Sequence, residues 1–319
     1  ERVHWASGLM VGISGVASAF FVICANAWMN SPAGFDWNGG NPINIDPWKA
    51  MFNEAAFLQG LHMVVAAFEA VGFAVAGLHA LLFLKTRLPI HLSALKIAFV
   101  FAAVAALVQP LVGDFSAKSV ARRQPVKLAA MEGHFYTERG ASLLLGGLPD
   151  VKTKTTPYAI HLPKLLSFLA HGDFNSEVKG LSEFPRNEWP PVLIVHLAFQ
   201  VMVGLGSWLA LLGALGLWGF WKRPNWVNSL GFYRVIALSL PLGFVALEAG
   251  WVVTEVGRQP WIIYGILRTA DAVTSRPDVG YTLGLYAVLY VFLTFVVALL
   301  LKRQMRLLEI QSTQKEATP

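Results

Sequence analysis

Length, composition and charge together exclude a water-soluble protein. Of the 319 residues, 55% are hydrophobic and only 14% are charged, with a formal net charge of +6, and the mean hydropathy is +0.53. A soluble domain with ordinary charge content is far less apolar. We therefore predict a membrane protein that crosses the bilayer several times and has no nucleic-acid partner.

Six segments are long and apolar enough to cross a hydrocarbon core, which takes about 20 residues of helix. The fold class predicted from them is all-α, a polytopic bundle of transmembrane helices. The third span is short and can be extended back through Ser93. The predicted spans cover residues 6–29, 57–84, 97–113, 192–221, 231–254 and 281–301.

Basic residues predict the orientation of the spans. Loops rich in lysine and arginine stay on the cytoplasmic side, whereas long loops are exported regardless of charge. The segment before the fourth span is therefore predicted to be extracytoplasmic. The basic clusters are Lys85, Arg87 and Lys96 after span two, Lys222 and Arg223 after span four, and Lys302, Arg303 and Arg306 after span six.

This orientation divides the chain into four parts. Spans one to three occupy residues 1–113, and the extracytoplasmic loop occupies 114–190. Spans four to six occupy residues 191–308, and a polar cytoplasmic tail covers 309–319.

The second span carries two ionisable residues, His62 and Glu69, seven positions apart on one helical face. A lone histidine in a helix is commonly a hydrogen-bonded core residue. Two ionisable groups at membrane depth instead indicate a functional site. His79 lies about 100° around the same helix, and we assign it a structural role.

The third span ends in a basic, partly amphipathic segment at the membrane surface, VQPLVGDFSAKSVARRQPVKLAAMEGHFYTERG. It is either a solvated surface helix or part of a site. Lys127 and Glu132 suit proton chemistry, because a carboxylate beside a lysine can be tuned to accept a proton.

The fifth span ends in Glu248, Trp251 and Glu255, which share one helical face, followed by Arg258 and Gln259. A carboxylate at membrane depth is costly unless it faces a partner, a cavity or a metal. The structural alternative is an ion pair of Glu255 with Arg258 at the helix end.

The run GRQPW at 257–261, with Glu255 before it and YGILRTADA after it, resembles the signature of subunit I of the cytochrome bd quinol oxidases. The KLAA-x-E pattern of the loop, QVMVGLG in span four and ANAWMNSP, with Asn26, at the end of span one resemble further parts of that subunit. The resemblance covers nearly the whole chain. It implies a haem-binding subunit of a quinol:oxygen oxidoreductase in a prokaryotic inner membrane.

The resemblance also implies roles for individual residues. His62 and Met202 would be the axial ligands of a low-spin b haem, and methionine ligation raises a reduction potential. Glu255 would be the axial ligand of a high-spin b haem. Lys127 and Glu132 would bind and oxidise quinol, which makes 114–190 a quinol-binding loop. The residues expected to line the haem sites are Glu69, Gln200, Trp251, Arg258 and Gln259.

Three of these expectations have a chemical basis. Arg258 would serve haem propionates, because its planar fork of donors suits carboxylate oxygens. Gln200 stands where the family often has an arginine, so the potential of the low-spin haem would be lowered. The one cysteine, Cys24, lies in span one and no C-x-x-C-H motif is present, so haem would be held by side-chain ligation.

The sequence begins at Glu1, close to a span and without a signal peptide, so we expect a fragment. The family's subunit I has three earlier helices, which supply the histidine ligand of haem d and acidic residues of the proton route. The complete enzyme would pass electrons from membrane quinol through two b haems to haem d and oxygen, and would generate a membrane potential. Its partners would be subunit II, with or without a small third subunit. Alone, this chain is expected to bind at most the two b haems and not to reduce oxygen.

Two other functions stay open at this point. A divergent homologue would carry b haems between quinol and another partner without oxygen chemistry. An ion-coupled transporter would use Glu69, Glu248 and Glu255 as its relay, and it would be colourless because it holds no haem.

Overall fold

The computed structural model describes residues 2–38 and 40–317 of the chain. Six helical segments that are long and apolar enough to cross a membrane coincide with the six predicted spans, which confirms the all-α membrane fold. In chain order the α-helices are α1 (Arg2–Asn30), α2 (Pro47–Met51), α3 (Ala56–Thr86), α4 (Pro89–Arg123), α5 (Pro125–Glu132), α6 (Leu165–His171), α7 (Val192–Lys222), α8 (Pro224–Val227), α9 (Leu230–Leu238), α10 (Leu242–Val256) and α11 (Val279–Ala317).

Helices α3, α4, α7 and α10 form the bundle that organises the molecule. Helices α4 and α10 each pack against both α3 and α7, so α3 and α7 lie at opposite corners. Small residues allow the backbones to approach closely. A Cβ added to Gly72 would lie 2.7 Å from the Cβ of Ala102, and one added to Gly243 would lie 2.6 Å from the Cα of Ala70.

The fifth span is interrupted, although a single helix was predicted over 231–254. Helix α9 ends at Leu238 and α10 begins at Leu242. Pro241 lacks a backbone N–H, and the residue before a proline disfavours helical geometry. Ser239, at the break, is buried and accepts a hydrogen bond from Trp208 Nε1 at 3.2 Å.

Two other helices extend beyond their predicted spans. Helix α4 includes Pro110 and continues to Arg123, ten positions past the predicted end of span three at Gly113. Helix α11 continues to Ala317 and so includes most of the predicted polar tail. Residues 318 and 319 of that tail, and Glu1 at the other end, lie outside the described residues.

The loop between α4 and α7 folds against one end of the bundle. Side chains of α5, such as Val126 and Ala130, share a buried cluster with Val195 of α7 and Val253 of α10.

The strands of the chain are short. They are β1 (Asp36–Asn38), β2 (Asn41–Ile43), β3 (Glu138–Arg139), β4 (Leu143–Gly146), β5 (Ala159–Leu162), β6 (Glu177–Val178), β7 (Trp261–Ile263) and β8 (Leu267–Arg268). They form antiparallel pairs, β1 with β2, β3 with β6, β4 with β5 and β7 with β8.

Candidate functional site

Glu255 lies in the last turn of α10 and is bound on both sides. Asn26 Nδ2 of α1 donates to Oε1, and Arg258 Nη2 donates to Oε2 at 2.5 Å. The Glu255 side chain is 42% exposed, whereas that of Arg258 is only 5% exposed. The ion pair that the sequence offered as the structural alternative is therefore present.

Arg258 has more hydrogen-bonding capacity than Glu255 uses. Its Nε and Nη1 atoms are buried and have no partner among the described residues. Burial lowers the pKa of this guanidinium, and Glu255 opposes the effect. Buried donors without acceptors are destabilising. Nε–H and Nη1–H lie on different edges of the guanidinium, so each can donate to a separate acceptor oxygen. The arrangement fits a haem propionate.

The side chain of Lys127 points into the protein and is only 4% exposed. Its Nζ donates to Asn30 Oδ1 at 2.7 Å and to the carbonyl oxygen of Thr254 at 3.3 Å. Burial and then the charge of Arg258 lower the pKa of Lys127 to about 7, while Glu255 acts in the opposite direction.

Glu132 is also only 4% exposed, and its Oε2 meets no donor in the part of the chain that the structure describes. Burial raises the pKa of this carboxyl to about 8. The sequence suggests that Glu132 lies beside Lys127. Five positions on a helix are about 140° apart, however, and the described residues show no hydrogen bond between the two side chains. Two groups with pKa values near neutrality in one buried helix are typical of a proton-handling site.

His62 and Met202 lie on the opposite corners of the bundle, α3 and α7. The half-buried His62 ring has Gln109 Nε2 of α4 at 3.3 Å from both ring nitrogens, so the amide lies across the ring instead of in line with one nitrogen. Met202 Sδ would be 3.1 Å from a Cβ added at Gly250 of α10. The two candidate ligands therefore lie on helices that share the neighbours α4 and α10.

The remaining predicted haem-site residues occupy different environments. Glu69 is buried on α3, and its Oε1 has no hydrogen-bond partner in the described chain. Trp251 is half-buried one turn before Glu255. Gln259 Oε1 accepts a hydrogen bond from Thr269 Oγ1 at 2.8 Å, which ties together the two ends of the β7–β8 hairpin.

Gln200 and His196 attach the loop to α7. Gln200 Nε2 donates to the carbonyl oxygen of Leu144 at 2.8 Å, and Gln200 Oε1 accepts from the N–H of Gly146 at 3.1 Å. The two ring nitrogens of His196 face the carbonyl oxygens of Met131 at 2.8 Å and of Gly146 at 3.0 Å. Backbone groups of the loop therefore bind both the oxygen and the nitrogen of the Gln200 amide. The position of Gln200 beside the low-spin haem stays a prediction.

Replacing His196 with leucine is expected to loosen the loop. The carbonyl oxygens of Met131 and Gly146 would lose the imidazole that faces them, and a buried acceptor left unpaired costs about 1–3 kcal/mol. We expect a lower thermal midpoint and faster proteolytic cleavage in the loop. His161→Leu is the matched control, because His161 is exposed; equal effects of the two substitutions would contradict the anchoring role.

Sequence reasoning missed three residues of the site. They are the amides Asn30, Gln109 and Gln124, which lie in or next to membrane-spanning helices. Asn30 contacts Lys127, Gln109 contacts His62, and Gln124 contacts Asn30. The signal was present for Asn30, which follows Asn26 by one helical turn. Gln124 Nε2 donates to the carbonyl oxygen of Asn30 at 2.8 Å, a contact between segments 94 positions apart that no local pattern encodes.

Comparison with known proteins identifies the family of this chain. A family model described as cytochrome bd terminal oxidase subunit I matches residues 1–308. A Bacillus subtilis (strain 168) protein named as a candidate cytochrome bd menaquinol oxidase subunit I is 36% identical over 300 residues, which are 90% of this chain and 64% of that protein. The cytochrome bd ubiquinol oxidase subunit 1 of the same strain is 28% identical over 323 residues, which are 96% of this chain and 68% of that protein.

The fold is also similar to that of a solved structure. A chain in the structure of bd oxidase from Geobacillus thermodenitrificans has a TM-score of 0.85 and 37% sequence identity, over 93% of this chain and 68% of that chain. The present chain thus spans from 64% to 68% of the length of these relatives. It is a multi-pass membrane protein that belongs to the cytochrome bd terminal oxidase subunit I family.

Proposed function

We propose that this chain is the haem-binding part of a quinol:oxygen oxidoreductase. The observation that carries the proposal is the pair formed by Glu255 and Arg258 at the end of α10. The carboxylate is half-exposed, while the guanidinium beside it is buried with two donors unused in the described chain. A ligand with its own carboxylates would complete this arrangement.

The chain would hold two b-type haems. His62 and Met202 would ligate the low-spin haem from opposite corners of the bundle, and Glu255 would ligate the high-spin haem. Arg258 would orient the latter through its propionates, with Trp251 as the neighbouring aromatic side chain. When bound, these haems accept electrons one at a time and hand them on towards oxygen.

The quinol would be oxidised at the loop that contains α5. Quinol loses two protons with its two electrons, so a base must lie nearby. Glu132 is the candidate, because its buried carboxyl has an unused oxygen and a pKa raised to about 8. With the loop on the extracytoplasmic side, these protons would be released outside and contribute to a membrane potential.

The relatives' names support a quinol as the substrate. Two of the relatives are named for their quinol, as menaquinol and ubiquinol oxidases. We infer the same class of substrate here, a membrane quinol, with oxygen as the final acceptor. Subunit II, a small third subunit and haem d belong to the same proposal for the assembled enzyme.

Replacing Glu255 with alanine tests the proposal. The variant complex is expected to lose the high-spin b haem, because no other carboxylate lies within the last turn of α10. Reduced-minus-oxidised optical spectra and haem content per protein are the measurements. Glu248→Ala is the matched control, since Glu248 lies two turns earlier on α10 and is exposed in an apolar groove between α7 and α10. An unchanged high-spin spectrum in the Glu255 variant would refute the ligand assignment.

A further inference from the structure

A row of hydrogen bonds joins the loop helix to Glu255. Lys127 Nζ donates to Asn30 Oδ1 at 2.7 Å. Asn30 Nδ2 donates to Asn26 Oδ1 at 2.9 Å, and Asn26 Nδ2 donates to Glu255 Oε1. Lys127 and Asn30 are buried. Four side chains from three helices thus form one continuous path between the proposed quinol loop and the proposed haem ligand.

Every bond in this row points the same way. The Lys127 amine in its protonated form only donates, and a carboxylate only accepts, so the two end groups then orient both amides between them. The resulting amide dipoles are aligned, with their positive ends towards Glu255. Aligned hydrogen bonds polarise one another, most strongly away from water. The row therefore stabilises negative charge on Glu255.

We infer that Asn30 and Asn26 are positioning residues that couple the charge of Lys127 to the electron affinity of the haem held by Glu255. This inference rests on the proposed role of Glu255 as an axial ligand. It adds a connection between the two sites, in which a change at the loop alters how strongly Glu255 donates electron density to the iron.

The coupling is electrostatic and does not move protons. A carboxamide cannot pass on a proton without leaving its stable tautomer, so the two asparagines transmit polarisation only. A carboxylate whose oxygen accepts a polarised hydrogen bond donates less electron density to a metal, which favours the reduced form. Breaking the row should therefore lower the reduction potential of the high-spin haem.

Asn30→Leu breaks the row while it leaves the Lys127 ammonium in place, still able to donate to the carbonyl oxygen of Thr254. In the haem-loaded complex we expect the reduced-to-oxidised ratio of the high-spin haem at fixed potential to fall about tenfold, a shift of about 59 mV for one electron. Lys127→Met should lower the potential as well. In the double variant the Lys127 substitution should add less than half of the shift that it causes alone. Optical redox titration gives all three values.

Gln124→Leu is the matched control. Gln124 donates to the carbonyl oxygen and to Oδ1 of the same Asn30 but is not part of the row, so we expect a much smaller shift. If the Asn30→Leu complex does not assemble, Asn30→Gln keeps the amide and moves it one methylene away from Asn26. The same fall in potential is expected.

Two results would overturn the coupling. Asn30 variants that keep the wild-type potential would show that the row transmits nothing, and additive shifts of Asn30→Leu and Lys127→Met would show that the two residues act independently. Either result leaves the proposed function intact as long as Glu255→Ala removes the high-spin haem. If Glu255→Ala leaves that haem in place, the ligand assignment itself is wrong, and the coupling is refuted with it.

Discussion

Replacing His62 with alanine is expected to remove the low-spin b haem from the complex. Met202 would remain as the only axial ligand, and a thioether alone holds iron weakly. The ring of His62 has Gln109 Nε2 lying across it at 3.3 Å from both nitrogens, so a nitrogen is available for iron at a modest cost in hydrogen bonding. Optical spectra should lose the low-spin signal and retain the high-spin one.

His79→Ala is the matched control for this prediction. His79 is on the same helix but pairs with His91, with their Nδ1 atoms 3.1 Å apart. Its replacement is expected to leave both haem signals in place. A normal low-spin spectrum in the His62 variant, with the complex assembled, would contradict the assignment of His62 as a ligand.

Replacing Glu132 with glutamine is expected to lower quinol oxidation about 10²- to 10⁴-fold, the usual contribution of a positioned general base. Glutamine has nearly the same volume, so the fold and the haem content should not change. The exposed Glu138 of the same loop supplies the control variant, Glu138→Gln, for which we expect near wild-type turnover. Turnover with a soluble quinol analogue and the haem spectra together separate lost chemistry from lost assembly.

The pH dependence of the wild-type complex provides a second readout for Glu132. A carboxyl with its pKa raised to about 8 holds its proton at neutral pH, and a proton acceptor must be unprotonated. Turnover should therefore rise as the pH increases towards 8 and level off above it. The residual activity of Glu132→Gln should lack this rise; if it keeps the same profile, another group is the base.

The sequence predicts the helices better than their ends. Apolar length alone places all six spans, because the bilayer requires about 20 residues from each. Pro110 and Pro241 show why boundaries are harder to predict. Pro110 lies inside a continuous helix, whereas Pro241 coincides with a break between α9 and α10. A proline disturbs a helix in both settings, and neighbouring helices decide whether the chain continues.

The candidate residues can be singled out one by one from the sequence, but the contacts that join them cannot. Each candidate could be singled out because a charged or ligating group inside an apolar helix is rare. The partners could not. Lys127 was paired with Glu132 on sequence proximity, yet it binds Asn30, which is 97 positions away. Partner choice depends on how α1 and α10 pack beneath the loop, and that packing has no signature in local sequence.

The transporter alternative loses support from the positions of its three glutamates. Glu69 is buried on α3, Glu255 is bound by Asn26 and Arg258, and Glu248 is exposed in an apolar groove. No hydrogen bond joins any two of these carboxylates within the described chain. A relay would require them to be connected in sequence across the membrane.

Helix α5 has one more consequence, since every residue from Val126 to Glu132 is buried. A quinol headgroup arriving from the aqueous side would meet a closed surface. Under the proposed function, a quinol coming from water or from lipid could reach Glu132 only after the covering part of the loop moves away from α5. Turnover would then include an opening step of the loop, and the packing around α5 would affect how often a quinol reaches Glu132.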